Sequence, residues 1–304
     1  MMRIMQCVRF VCCLAGWAAW SGHAADAPPQ DTPERLPAGA RALTNIAYVP
    51  NGSDRQKLDL YLPASGTNLP LVVWIHGGGW TEGSKEDPPG LRFLLHGFAL
   101  ASINYRLSQD AIFPAQLVDC KSAIRWLRAH AAEHGLDPDH IGVWGASAGG
   151  HLAALLGATG ETREFDQGGD LRLSSRVQCV CDLFGPTDLT QITNYPSDIN
   201  HAAPDSPEAK LLGGPIAQNA DKAQHANPIH YITKDAPPFL ILHGDKDPYV
   251  PLEQSQLLAD ALKKAGVPVI FRVVPGGGHG GAAFRRQEEL DRMYNFFVQH
   301  LKSD

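Results

Sequence analysis

Short apolar runs separated by helical patterns leave this 304-residue chain few possible folds. Continuous apolar runs fit strands buried on both faces, and strands that alternate with helices form right-handed crossovers. The sequence therefore predicts an α/β fold with a doubly wound, mostly parallel sheet, whose chemistry gathers at the carboxyl ends of the strands. The predicted strands are 71–75, 99–105, 141–144, 177–184, 239–242 and 269–274. The predicted helices are 114–134, 148–156, 251–264 and 286–301.

The regions around this core complete the predicted domain organisation. Segments 44–49 and 57–62 alternate apolar and polar residues around a turn-prone Asn-Gly-Ser-Asp sequence, which predicts an antiparallel pair at a sheet edge. Residues 187–237 break the strand-helix alternation with Pro, Asn, Asp and short helical pieces such as 207–212, so we interpret them as a lid-like insertion. We expect one catalytic domain over 42–304 after a flexible lead-in at 25–41.

The first residues have the pattern of a secretory signal peptide. Arg3 and Arg9 precede an apolar stretch, and the small residues Gly22 and Ala24 follow it. The apolar stretch has about 11 residues, fewer than the roughly 20 that a spanning helix needs, so a membrane anchor is the weaker interpretation. We expect a signal peptide over 1–24 and a secreted or periplasmic protein without a membrane span.

The charge of the chain limits its possible binding partners, and its cysteine content limits the disulfides that it can form. The formal net charge is −6 and no basic run accompanies it, which argues against nucleic-acid binding. Cleavage after Ala24 would leave Cys120, Cys179 and Cys181, and an odd number includes at least one free thiol. Buried free thiols are the expectation, and a disulfide from Cys120 to Cys179 or Cys181 is the alternative. The oligomeric state stays open.

A G-x-S-x-G motif centred on Ser147 follows a predicted strand and opens a predicted helix. In this context the serine sits on a sharp turn that lifts its hydroxyl above the sheet, and the helix start points amide groups at developing negative charge. The alternative, a chance serine in a glycine-rich turn, does not explain the strand and helix on its two sides. Ser147 is therefore the candidate nucleophile.

A serine hydroxyl needs a base to take its proton and a third group to orient that base. His279 lies in a glycine-rich loop after the last predicted strand, and Asp247 follows the preceding strand. Ser147, Asp247 and His279 thus occur in the chain order of α/β-hydrolases. Asp245 is a rival for the acid, but Pro248 and Val250 give Asp247 a D-P-x-V setting, so we assign Asp247 and interpret Asp245 as a turn residue.

The sequence His76-Gly77-Gly78-Gly79-Trp80 ends another predicted strand. Acyl transfer needs backbone amides aimed at the tetrahedral oxyanion, and we assign this role to Gly78, Gly79 and Ala148. No Lys-Ser/Thr pair follows the glycines, which argues against a phosphate cradle. The other histidines, His76, His151 and His243, are expected to pack or to hold loops. No metal-binding spacing occurs after the signal segment, so no catalytic metal is implied.

These motifs resemble the bifunctional feruloyl and acetyl-xylan esterases, close to the hormone-sensitive-lipase-like branch of the α/β-hydrolase fold. The resemblance spans 42–301 and rests on H-G-G-G-W, G-A-S-A-G-G-H-L-A, G-P-T-D-L, S-P-E-A-K-L-L-G-G-P-I, H-G-D-K-D-P-Y-V-P and G-G-G-H-G-G. It implies cofactor-free hydrolysis of carboxylic esters, with acetyl or feruloyl groups on plant polysaccharide as candidate substrates. It also suggests Trp80 and Trp144 as substrate-binding residues, although Trp144 ends a strand, where a core position is the alternative.

Two other functions fit parts of the same pattern. Formamide or amide cleavage of the kynurenine-formamidase type uses a similar H-G-G-G-W loop, but an export signal argues against that intracellular role. A binding protein on an inactive hydrolase fold is the third possibility, and the presence of all three catalytic residue types argues against it.

Overall fold

One eight-stranded sheet organises residues 35–302, which the computed structural model describes; the predicted signal peptide at 1–24 lies outside them. The strands are β1 (Arg41–Ala47), β2 (Lys57–Leu62), β3 (Leu69–Ile75), β4 (Ala99–Ile103), β5 (Leu136–Ala146), β6 (Cys179–Leu183), β7 (Phe239–Gly244) and β8 (Val269–Val274). Their order is β1-β2-β4-β3-β5-β6-β7-β8. Only the pairs β1–β2 and β2–β4 are antiparallel within this sheet. The mostly parallel, doubly wound α/β fold is confirmed.

Helices cover both faces of the sheet. They are α1 (Ala115–Ala129), α2 (Ala131–His134), α3 (Ala148–Ala158), α4 (Pro207–Leu212), α5 (Ala220–His225), α6 (Leu252–Lys264) and α7 (Gln287–Leu301). Apolar side chains of α1, α3 and α6 pack on one face, and those of α7 pack on the other. Successive side chains of a strand point to opposite faces of the sheet. In β7, Ile241 packs in the core on the α1 face, whereas Leu240 and Leu242 pack in the core on the α7 face.

The three cysteines of the described region are free and buried, as expected. Cys120 lies in the core on the α1 face, whereas Cys179 and Cys181 lie in the core on the α7 face. The sheet therefore stands between Cys120 and the other two thiols, and the alternative disulfide is not formed. Burial raises the pKa of all three thiols well above the ordinary value.

Local geometry explains two of the differences between the predicted and the observed bounds. The first strand begins at Arg41 rather than at residue 44 because a bulge at Asn45 interrupts the alternating pattern. Asn45 has a φ of 57°, and its amide donates to Asp59 Oδ1 at 2.7 Å. The predicted helix at 114–134 is two helices, α1 and α2, because His130 leaves helical geometry with a ψ of 12°.

The segment 187–237 connects β6 to β7 and contains α4, α5 and three short 3₁₀ turns. It reaches two loops at the carboxyl edge of the sheet. The amide of Asp198 donates to Pro248 O at 2.7 Å, and a Cβ built on Gly79 would lie 3.2 Å from Pro207 Cβ. This segment therefore packs beside the residues that the sequence singled out. Within 35–302, no helix is both long and apolar enough to cross a membrane.

Candidate active site

Ser147 occupies a strained turn between β5 and α3. Its φ of 55° and ψ of −123° lie in a region that residues with a side chain rarely adopt. Its amide donates to Leu183 O at 2.9 Å, which fixes the turn against β6. A Cβ on Gly145 would lie 2.1 Å from Gly149 O, and one on Gly149 would lie 2.1 Å from Ile75 O. The two glycines of the motif are therefore required by close backbone approach.

His279 connects the serine to an acid. Its Nε2 lies 2.8 Å from Ser147 Oγ, and its Nδ1 lies 2.7 Å from Asp247 Oδ2. A carboxylate only accepts, so Nδ1 carries the proton and Nε2 is free to accept from the serine hydroxyl. The imidazole lies close to the rings of Phe184 and Tyr249, at centroid distances of 4.7 and 5.5 Å. The structure thus joins the three residues predicted as nucleophile, base and acid in one hydrogen-bonded chain.

Asp247 is almost completely buried and has partners on both oxygens. Its Oδ1 accepts from the amides of Tyr249 at 2.9 Å and Val250 at 3.0 Å. Burial alone would raise the pKa of the Asp247 carboxyl, but the adjacent imidazole of His243 and the hydrogen bonds from His279 and the Tyr249 amide hold it well below its ordinary value. Asp247 therefore carries a negative charge directed at the imidazole of His279.

Asp245, the rival acid, points elsewhere. Its Oδ1 accepts from the amide of Gly276 at 2.7 Å, which ties the loop after β7 to the loop after β8. The structure therefore brings Asp247 to His279 and leaves Asp245 as a residue that holds a turn.

The glycine-rich loop after β3 lies directly against the serine turn. A Cβ on Gly77 would be 3.3 Å from Ser147 Cβ, and Gly78 and Gly79 have φ angles of 99° and 55°. In the described part of the chain, the amides of Gly78, Gly79 and Ala148 donate to no other group. Three backbone donors beside the Ser147 hydroxyl are therefore left for a bound group.

Three side chains that brace this loop include one anticipated residue and two that the sequence did not reveal. His76 Nδ1 donates to Gly77 O at 2.8 Å, as expected for a histidine that holds a loop. Burial lowers the pKa of His76 to about 4, so its Nε2 accepts from the Arg55 guanidinium at 3.1 Å. The Tyr105 hydroxyl donates to His76 O at 3.0 Å, and its ring stacks on the imidazole. Arg55 and Tyr105 have no local sequence signal, because the contacts arise only when β2, β3 and β4 pair.

The two tryptophans predicted to contact substrate are nearly buried. Trp80 is 2% exposed and packs edge-on against His151, whose Nε2 lies 2.6 Å from Ala226 O. Trp144 is 5% exposed and packs against Trp74 in the core on the α7 face. Trp144 thus occupies the core position that was its alternative, and His151 packs as expected.

A comparison with models of known protein families identifies the family to which the chain belongs. The BD-FAE family model matches residues 58–262, from β2 into α6. The chain belongs to the BD-FAE family. The matched region of this BD-FAE protein includes the serine turn and Asp247, and it ends before His279.

Individual relatives and solved structures agree with the family. Esterase LipQ of Mycobacterium tuberculosis is 33% identical over 247 residues, which are 79% of this chain and 57% of LipQ. A truncated carbohydrate esterase from gut microbiota has a TM-score of 0.78 at 33% identity and covers 91% of this chain and 99% of its own. An acetyl ester-xyloside bifunctional hydrolase from Caldicellulosiruptor lactoaceticus has a TM-score of 0.67 at 29% identity and covers 80% and 87%.

These similarities confirm the resemblance to α/β-hydrolase esterases. The chain spans only part of its Mycobacterium tuberculosis relatives: 57% of LipQ, 51% of LipM and 64% of LipC. It covers nearly all of the truncated carbohydrate esterase.

Proposed function

We propose that this protein hydrolyses carboxylic esters through an acyl-serine intermediate on Ser147. The observation that carries the proposal is the hydrogen-bonded chain Ser147–His279–Asp247, with distances of 2.8 and 2.7 Å, beside three backbone amides without a partner. This arrangement supplies a nucleophile, a base and donors for an oxyanion at one place.

In the proposed first half-reaction, Ser147 Oγ attacks the ester carbonyl while its proton moves to His279 Nε2. The tetrahedral oxyanion receives hydrogen bonds from the amides of Gly78, Gly79 and Ala148, each worth about 3 to 4 kcal/mol of barrier. The intermediate collapses as His279 gives its proton to the leaving alcohol, and the acyl group stays on the serine. Asp247 stabilises the imidazolium that forms between these two transfers.

In the second half-reaction, water attacks the acyl-serine while His279 takes one of its protons. The new tetrahedral intermediate uses the same amides, and His279 returns the proton to Ser147 Oγ as the carboxylic acid leaves. No other group is needed for the protons and electron pairs to balance.

For the substrate, we favour acetyl or feruloyl esters of plant polysaccharide. Support comes from the BD-FAE family match and from two structural neighbours whose names specify a carbohydrate esterase and an acetyl ester-xyloside hydrolase. Export fits such a substrate, because a polysaccharide is met outside the cytoplasm. The signal-peptide pattern at 1–24 supports a secreted or periplasmic location, and N-terminal sequencing of the protein recovered from cell fractions tests it.

The chemistry is tested by turnover of p-nitrophenyl acetate in Ser147→Ala, with Ser65→Ala, an exposed serine, as the control. We expect a loss of about 10⁴-fold or more in kcat for Ser147→Ala and none for the control. Unchanged turnover in Ser147→Ala would refute the acyl-serine mechanism. Absence of labelling by a fluorophosphonate probe would instead favour a non-catalytic binding protein.

The acyl specificity is tested by a side-by-side series on acetylated xylan, methyl ferulate, and short and long p-nitrophenyl esters. We expect acetylated xylan or methyl ferulate to give the highest kcat/KM. A higher kcat/KM on N-formylkynurenine than on every ester would favour the formamide-hydrolase function.

A further inference from the structure

Tyr249 presents an exposed aromatic ring beside His279. Its residue surface is 45% exposed, and it is the one aromatic residue among the exposed large hydrophobic side chains of residues 35–302. Its ring lies 5.5 Å from the imidazole of His279 at an interplanar angle of 71°. An exposed ring at this position is not explained by packing of the core.

The backbone of Tyr249 is held on both sides, which fixes where the ring stands. Its amide donates to Asp247 Oδ1 at 2.9 Å, and its carbonyl accepts from Ser197 Oγ at 2.7 Å. His201 Nε2 lies 3.1 Å from the same carbonyl oxygen. The Tyr249 hydroxyl makes no hydrogen bond to any residue of the described chain. The backbone groups of Tyr249 are thus hydrogen-bonded within the protein, whereas its ring and hydroxyl are available to bind another molecule.

The other aromatic ring beside His279 is buried. Phe184 is 6% exposed, lies 4.7 Å from the imidazole and packs against Phe284 at 4.9 Å. Of these two rings beside His279, only Tyr249 is therefore open to a group that extends from the imidazole into solvent.

The proposed reaction indicates which part of the substrate lies beside Tyr249. His279 delivers its proton to the oxygen of the leaving alcohol, so the alcohol must lie within hydrogen-bond distance of the imidazole. We propose, on the basis of the proposed ester hydrolysis, that Tyr249 is the platform for the alcohol half of the substrate and that this half is a pyranose ring. The apolar C–H face of a pyranose packs on the aromatic ring, and the free Tyr249 hydroxyl can bond to a sugar hydroxyl.

The test compares two acetates that differ only in the alcohol: ethyl acetate and an O-acetylated methyl xylopyranoside. Both give the same acetyl-serine and the same deacylation, so a difference in kcat/KM reports the alcohol site alone. The variants are Tyr249→Ala and Tyr249→Phe, with Ile270→Ala as a control at an exposed residue on β8. The backbone bonds of Tyr249 do not need its side chain, so the fold is expected to persist, which thermal unfolding checks.

For Tyr249→Ala we expect the ratio of kcat/KM on the acetylated xyloside to kcat/KM on ethyl acetate to fall about fivefold to tenfold, with the extra loss on the xyloside appearing in KM. Tyr249→Phe should keep most of the xyloside activity, and Ile270→Ala should match the unsubstituted protein. Equal losses on both acetates, or no loss on either, would overturn the platform. That outcome differs from failure of the proposed function, in which Ser147→Ala would keep its activity on both acetates.

Discussion

The imidazole of His243 lies 3.3 Å from Asp247 Oδ2, the same oxygen that receives His279 Nδ1 at 2.7 Å. His243 is fully buried, and its Nε2 also lies 2.9 Å from Val250 O. Because both neighbours of Nε2 are acceptors, this nitrogen carries a proton, and Nδ1 is paired with Ser255 Oγ at 2.7 Å. Two histidines therefore lie within 3.3 Å of one carboxylate oxygen: His279 donates a hydrogen bond to it, whereas the Nε2–H of His243 donates to Val250 O and adds an electrostatic contact with Asp247.

Removal of the His243 imidazole should weaken both the fold and the reaction. In His243→Phe, the buried Val250 carbonyl loses its donor and the Asp247 carboxylate loses a nearby polar N–H group, so we expect the free energy of unfolding to drop by about 2 to 4 kcal/mol. We expect kcat on p-nitrophenyl acetate to fall about tenfold as the acid loses its fixed orientation. Urea unfolding and steady-state kinetics measure the two effects. His243→Gln keeps an N–H donor and should lose less of each; an equal loss would show that ring shape, and not the hydrogen bond, matters.

The two aspartates after β7 offer a matched pair. Asp247→Asn puts an amide where His279 needs an acceptor, and we expect kcat to fall about 10³- to 10⁴-fold because the histidine takes the wrong tautomer. Asp245→Asn keeps an oxygen that accepts from the Gly276 amide, so we expect its kcat within about threefold of the unsubstituted protein. Comparable losses in the two variants would contradict the assignment of Asp247 as the acid.

The convergence of Ser147, Asp247 and His279 could be predicted because parallel strands end at one edge and each residue follows a separate strand. The sequence also distinguished Asp247 from Asp245, because only Asp247 is followed by Pro248 and Val250 in a D-P-x-V setting. Other contacts had no local signal. Arg55 is hydrogen-bonded to His76, which lies 21 residues further along the chain. The bulge at Asn45 depends on a hydrogen bond to Asp59 in the neighbouring strand. Such contacts are set by strand pairing, which periodicity does not reveal.

The geometry of the site predicts that alanine substitution has very different effects on stability and activity at Gly149 and at Gly278. In Gly149→Ala the new Cβ would lie 2.1 Å from Ile75 O and 2.6 Å from His76 O, so backbone must move. We expect a loss of about 3 kcal/mol in unfolding free energy and at least about a hundredfold loss in kcat/KM. In Gly278→Ala the Cβ meets only Lys246 O at 3.9 Å, and we expect near-normal stability and activity. Differential scanning fluorimetry and esterase assays compare them, and a tolerated Gly149→Ala would show that the turn has room to relax.

Asp182 predicts how stability depends on pH. This carboxyl is fully buried on β6; its Oδ1 accepts from the Gly185 amide at 3.0 Å, and its Oδ2 has no partner among the described residues. Burial raises the pKa of Asp182 to about 7, although the Gly185 hydrogen bond and the nearby His243 act in the opposite direction. In the unfolded chain the pKa returns to the ordinary value near 4.

Between about pH 4 and pH 7 the folded protein therefore holds a proton that the unfolded chain has released, so stability falls as pH rises through this window and stays low above it. Asp182→Asn removes this titration and keeps an acceptor for the Gly185 amide. We expect the variant to match the unsubstituted protein near pH 4 and to exceed its unfolding free energy at pH 8 by about 2 to 4 kcal/mol. Urea unfolding at both pH values measures the difference, with the exposed Asp205→Asn as the control. The same pH dependence in Asp182→Asn as in the unsubstituted protein would mean that Asp182 is already ionised in the folded state, with water or a cation satisfying Oδ2.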